Sequence, residues 1–165
     1  MDEAASTFGA LAITGANVAV TENAAMDLGA LTISGTASFN STSNAITDSG
    51  TLAITGATTL NSGSADITLN EAASTFGTLA ITGTNVAVTE NAAMDLGAST
   101  ISGTASFNSS NNAITDSGTL AITGATTLNS GSADLTLDEA ASTFGALAIT
   151  GANVAVTENA AMDLG

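Results

Sequence analysis

Apolar residues return along this chain in a fixed rhythm. Leu and Ile stand two apart in GALAITG from Gly9, GALTISG from Gly29, and GTLAITG from Gly50 and again from Gly77. The steps between these lines are 20, 21 and 27 residues, and lines starting at Gly77, Gly97, Gly118 and Gly145 repeat the same steps. Residues two apart point to one side of a strand. Each line therefore predicts a short strand with Leu and Ile inward, as in Leu11 and Ile13 or Leu52 and Ile54. The glycine that closes each line marks a corner, where a positive φ or a close backbone approach is cheap. A second apolar group follows (Val18 and Val20, Phe39, Leu60), and then a third (Met26, Ile46, Ile67), with Gly, Ser, Asn and Asp between the groups. Every line thus predicts three short strands.

A longer period lies over the short one. EAASTFG starts at Glu3, Glu71 and Glu139, so the 165 residues hold about two and a half copies of a 68-residue unit. Periodicity of this kind predicts a solenoid or an array. We read residues 1–165 as one solenoid segment, with units 3–70, 71–138 and a partial 139–165, each of three rungs. The expected class is all-β: a right-handed parallel β-helix with rungs of about 20 residues and three strands per rung, stacked at about 4.8 Å with like residue on like. The crossover rule favours the right hand. The 27-residue line carries about seven extra residues around Glu71 to Phe76, which either bulge from a corner or add a strand. Ala-rich stretches such as Glu22 to Asp27 are too short for stable helices and are flanked by strand formers.

Composition narrows the function. There is no Lys, Arg, His, Cys, Pro, Trp or Tyr, and fifteen acids give a formal net charge of −15. Nucleic-acid backbones and anionic membranes are bound through cations, so both are repelled. No apolar run approaches the ~18 residues of a membrane helix, so no membrane insertion is expected. No basic leader is visible at Met1-Asp2-Glu3. The chain begins and ends inside a repeat, which reads as a piece of a longer polypeptide. Counted from each line's glycine, the acids Glu22, Asp27, Asp48, Asp66 and Glu71 use different columns. The expectation is that no column repeats within three rungs, about 14 Å, beyond the ~8 Å screening length of physiological salt.

Catalysis lacks its usual bases, nucleophiles and oxyanion donors, so no enzyme and no catalytic, cofactor or metal site is assigned. Calcium is the one cofactor the residues leave open, since carboxylates and Asn oxygens are its ligands. The best local groups are Glu22-Asn23 with Asp27, Glu90-Asn91 with Asp95, and Glu158-Asn159 with Asp163, although no calcium-loop motif is present. The bland reading of these groups is a solvated acidic corner. An ice-binding face would need a regular hydroxyl array. One outward column is hydroxylic (Thr14, Ser34, Thr55, Thr82, Ser102, Thr123, Thr150), but its neighbour alternates Ala and Thr.

The GxLxITG lines, each followed by a polar corner and then NAIT or ADIT, resemble rungs of filamentous-haemagglutinin-type adhesins and autotransporter passengers. That resemblance implies a right-handed parallel β-helix, exported in bacteria as part of a long chain, acting as a stalk, adhesin or matrix fibre at the cell surface. GTLTVTGATTL-like lines also resemble trimeric phage and bacterial fibres, which makes a trimeric intertwined β-fibre the alternative fold. The expected function is a structural segment of a long extracellular fibre, stacked on neighbouring repeats or on copies of itself, with a host-cell or matrix surface as partner. A calcium-binding adhesin repeat and an ice-binding solenoid are the alternatives.

Overall fold

The computed structural model describes residues 6–165, so Glu3, the start of the first unit, lies outside the described residues. The first half of the chain contributes β1 (Leu11–Gly15), β2 (Val18–Thr21), β3 (Met26–Ile33), β4 (Ala37–Asn40), β5 (Ile46–Asp48), β6 (Leu52–Ile54), β7 (Thr58–Asn61) and β8 (Ile67–Leu69). The middle adds β9 (Thr78–Gly83), β10 (Val86–Thr89), β11 (Met94–Leu96), β12 (Ser99–Ile101), β13 (Ala105–Asn108) and β14 (Ile114–Asp116). The remainder is β15 (Leu120–Ile122), β16 (Thr126–Asn129), β17 (Leu135–Leu137), β18 (Ala146–Thr150), β19 (Val154–Val156) and β20 (Asp163–Leu164). No helix occurs among the described residues. Every strand pairing is parallel, and the strands of this single chain satisfy one another. The protein is a β-solenoid.

Two ladders run its length. One sheet follows β1-β3-β5-β8-β10-β13-β16-β18-β20, and the other follows β2-β4-β7-β9-β11-β14-β17-β19. A third strip comes and goes. It branches from β1 along the second half of β3, with Leu31 between Ile13 and Leu52 and Ile33 between Gly15 and Ile54. It ends at the bridge between Ala53 and Thr75. It begins again where β12 branches from β9 and ends at the bridge between Ala121 and Thr143. Most turns therefore have three strands. Three turns have two and are correspondingly short: β1 through β2 to β3 sets Leu11 beside Leu28, β9 through β10 to β11 sets Leu79 beside Leu96, and β18 through β19 to β20 sets Leu147 beside Leu164.

The alternation of the sequence is what fills the core. Val20, Phe39, Leu60 and Ile81 form one inward column. Met26, Ile46, Ile67 and Val86 form another. Val18 and Ile13 are partly buried near the first turn, whereas Phe39, Ile46, Ile67 and Phe107 are sealed from solvent.

The register corrects one expectation. Leu79 and Ile81 were expected over Leu52 and Ile54, because both pairs belong to GTLAITG lines. They lie instead over Thr58 and Leu60, Asp95 and Leu96 follow Thr78 and Leu79 in the second sheet, and Ile67 is followed by Val86 and not by Met94. The cause is the extra segment 71–76. It does not bulge: Thr75 pairs with Ala53, and Phe76 enters the core. It thus adds a side to the turn and pushes every later line one side round. Counting the second ladder from β2 to β19 gives seven steps for the 136 residues between Val18 and Val154, or three and a half turns per 68-residue unit. Equivalent strands such as β2 and β10 consequently fall in opposite sheets.

The closing glycines serve close approach and not left-handed backbone. A Cβ on Gly56 would lie 2.5 Å from the carbonyl oxygen of Gly35, one turn below. Positive φ is found elsewhere, at the corners of Thr42 and Ser43, of Gly63, of Ser110 and Asn111, and of Gly131.

Candidate functional site

No pocket opens among the described residues. Chemistry is concentrated at the corners, where the carboxylates divide into two kinds.

The first kind caps the next turn. Asp48 accepts from the backbone N–H groups of Asn70 (2.9 Å) and Glu71 (3.1 Å). Asp116 does the same for Asp138 (2.8 Å) and Glu139 (3.4 Å). Asp66 accepts from the backbone and the side-chain amide of Asn85, both at 3.0 Å. A corner N–H has no ladder partner, and a charged acceptor one turn away supplies one. The expectation that acids keep apart holds poorly here, because Asp116 lies against both Asp138 and Glu139. Burial raises the Asp116 carboxyl above its ordinary value, the two N–H groups oppose that shift, and the charge of Asp138 adds to it.

The second kind points inward. Glu22 and Glu90 are fully buried, and among the described residues neither carboxylate oxygen of Glu22, Glu90 or Glu158 has a hydrogen-bond partner. The backbone register explains the direction. Thr21, Asn40 and Asn61 are paired neighbours on the outer face, so the residues after them, Glu22, Ser41 and Ser62, turn into the corner. Their N–H groups bond up the stack to Asn40, Asn61 and Thr82. Ser41 and Ser62 use their hydroxyls on the carbonyls of Asn44 and Ala65, and the column closes at Gly83, where a Cβ would meet Ser62 Oγ at 2.8 Å. Glu90, Ser109, Ser130 and Gly151 repeat the column one unit later. Burial drives the carboxyl of Glu90 up to about 8. Glu22 is raised by burial too, with the backbone N–H of Phe8 opposing in part from outside hydrogen-bond geometry.

This arrangement disperses the three groups singled out for calcium. Glu22 and Glu90 are inside. Asp27 and Asp95 alternate with buried neighbours and turn one oxygen outward, where Asp27 accepts from Ser49 and Asp95 from Thr78 and Ser117, while the other oxygen of each is shielded from water and, among the described residues, without a partner. Asp163 lies exposed on β20. Among the described residues no three acids converge on one point. The hydroxyl column is also broken by the register: Thr82 neighbours Asn61 and Thr100, not Thr55.

Sequence reasoning missed the inward glutamates, although a signal was present. Val18, Val20 and Glu22 share one phase of the strand alternation. Residues 15–82 and 83–151 each match the family described as "Repeats of unknown function (DUF5649)". No curated protein and no solved structure matches the chain.

Proposed function

The chain belongs to the family of repeats of unknown function (DUF5649), and from that premise we propose that it is a structural, non-catalytic segment of a long, repetitive extracellular fibre or adhesin stalk. One observation carries the reading: two backbone ladders continue from the first described turn to the last. Such a body resists bending and stretching because every turn is hydrogen-bonded to the next. Fifteen uncompensated acids keep neighbouring rods from associating sideways. The last turn leaves Val154, Met162 and Leu164 exposed, a surface on which a further repeat or a second copy stacks end to end. The likeness of its lines to filamentous-haemagglutinin-type rungs supports export to the cell surface, with a host-cell or matrix partner bound by other parts of the fibre.

Electron microscopy of tandem arrays with increasing numbers of 68-residue units tests this. Stiff, thin rods that lengthen by about 17 Å per unit are expected, from three and a half turns at about 4.8 Å each. Flexible strings or compact particles whose length does not follow repeat number would overturn it.

A further inference from the structure

We propose that Glu22 and Glu90 are internal proton-binding sites which make this rod acid-tightened: each corner closes fully when its carboxyl is neutral and loosens when it ionises.

The geometry comes first. The same residue of successive units is placed at equivalent corners on opposite sides of the rod, Glu22 following β2 in one sheet and Glu90 following β10 in the other. Glu90 immediately precedes Asn91, whose N–H bonds to the carbonyl of Ser74 at 2.8 Å, and Asn23 and Asn159 make the same bond to Ser6 and Ser142. Both carboxylate oxygens of Glu22 and of Glu90 are out of contact with water and, among the described residues, without partners. A buried carboxylate is tolerated when a cation or several donors face it, and otherwise it takes up a proton. The chain has no Lys, Arg or His to supply the cation. Around Glu90, β9, β10 and β13 carry no ionisable side chain. The segment before Ser74 carries Glu71, and β11 carries Asp95, which spends one oxygen on Thr78 and Ser117 at the outer face. Around Glu22, β1, β2 and β4 likewise carry none, and β3 carries Asp27. Among the described residues the neighbouring ionisable groups are thus all acids, which reinforce protonation.

The direction of the pH effect follows. Burial lifts Glu90 from 4.5 to about 8 in the fold. A carboxyl raised in this way stabilises the fold in full below its unfolded value, and the contribution is lost as pH climbs through the folded value. The window therefore runs from about pH 4.5 to about pH 8. Mutual repulsion of the exposed acids weakens the rod in the same direction, so the test must separate the two.

Thermal melting from about pH 5 to about pH 8.5 is compared in three chains. These are the unaltered chain, E22Q/E90Q, and D134N/D163N, which removes the same number of charges from exposed positions. The unaltered chain and the exposed-site variant are expected to lose melting temperature in parallel as pH rises. The buried-site variant is expected to match the unaltered chain at the acid end and to melt increasingly above it towards the alkaline end. Parallel behaviour of all three would overturn the proposal. Infrared titration of the unaltered chain needs no folded variant. A protonated-carboxyl band persisting above about pH 6, where exposed acids are ionised, is expected. Its absence in folded protein would equally overturn the proposal.

Discussion

Leu79 is the parallel-strand neighbour of Thr58, and not of Leu52. Leu52 and Leu79 occupy the same place in identical GTLAITG lines, yet they lie on different sides of the solenoid. Sequence identity and spatial equivalence are thus separated by one side per unit. The separation gives the rod its symmetry: whatever β2 and its neighbours present on one sheet, β10 and its neighbours present on the other.

Ser74 holds the segment that causes this shift. Its buried hydroxyl oxygen accepts from the N–H of Leu52 at 3.0 Å, and Ser142 does the same for Leu120. Ser74→Ala leaves a buried donor unsatisfied, which costs about 1–3 kcal/mol. Chemical denaturation should show that loss in the midpoint with an unchanged slope, and Ser142→Ala should behave alike.

Phe39 and Phe107 are the largest sealed side chains, stacked against Leu60 and Leu128 respectively. Truncating either to Ala removes its transfer energy and leaves a cavity between turns, so a loss of about 3–5 kcal/mol is expected. The same measurement on Val154→Ala, at an exposed position on the last turn, should stay within about 0.5 kcal/mol.

Gly56 stands in a backbone stair with Gly35 below and Gly77 above. An added methyl would lie 2.5 Å from the Gly35 carbonyl oxygen, and the obstacle is backbone, which cannot step aside alone. Gly56→Ala should cost about 1–3 kcal/mol as turns are forced apart. Gly9→Ala, with nothing within 4 Å, should melt like the unaltered chain.

Most of the fold is legible in the sequence, because a solenoid repeats its local rule. Leu31 and Ile33, Val18 and Val20, and Met26 all declare strands by spacing, and the structure places strands at each. The stacking of line three on line four is not legible. Within 71–76 the cue is a single inward Phe76 beside Ser74, too short to show a period. The inward glutamates escape for a different reason. A lone acid after Thr is ordinarily solvated, and only the column of Ser41, Ser62 and Gly83 shows that the position turns in. That column depends on register across three turns, which no single line contains.

The register is tested most directly by paired cysteines in a chain that has none of its own. Thr59 and Ala80 are neighbours on adjacent strands, and Ala53 and Ala80 hold the same place in identical lines. Adjacent strands lie about 4.8 Å apart, within the ~4.4–6.8 Å Cα separation a disulfide spans. The account predicts rapid, near-complete oxidation of the Thr59→Cys/Ala80→Cys chain and none within the folded Ala53→Cys/Ala80→Cys chain. The reverse result would place GTLAITG over GTLAITG and contradict the half-turn advance on which the symmetry of the rod rests.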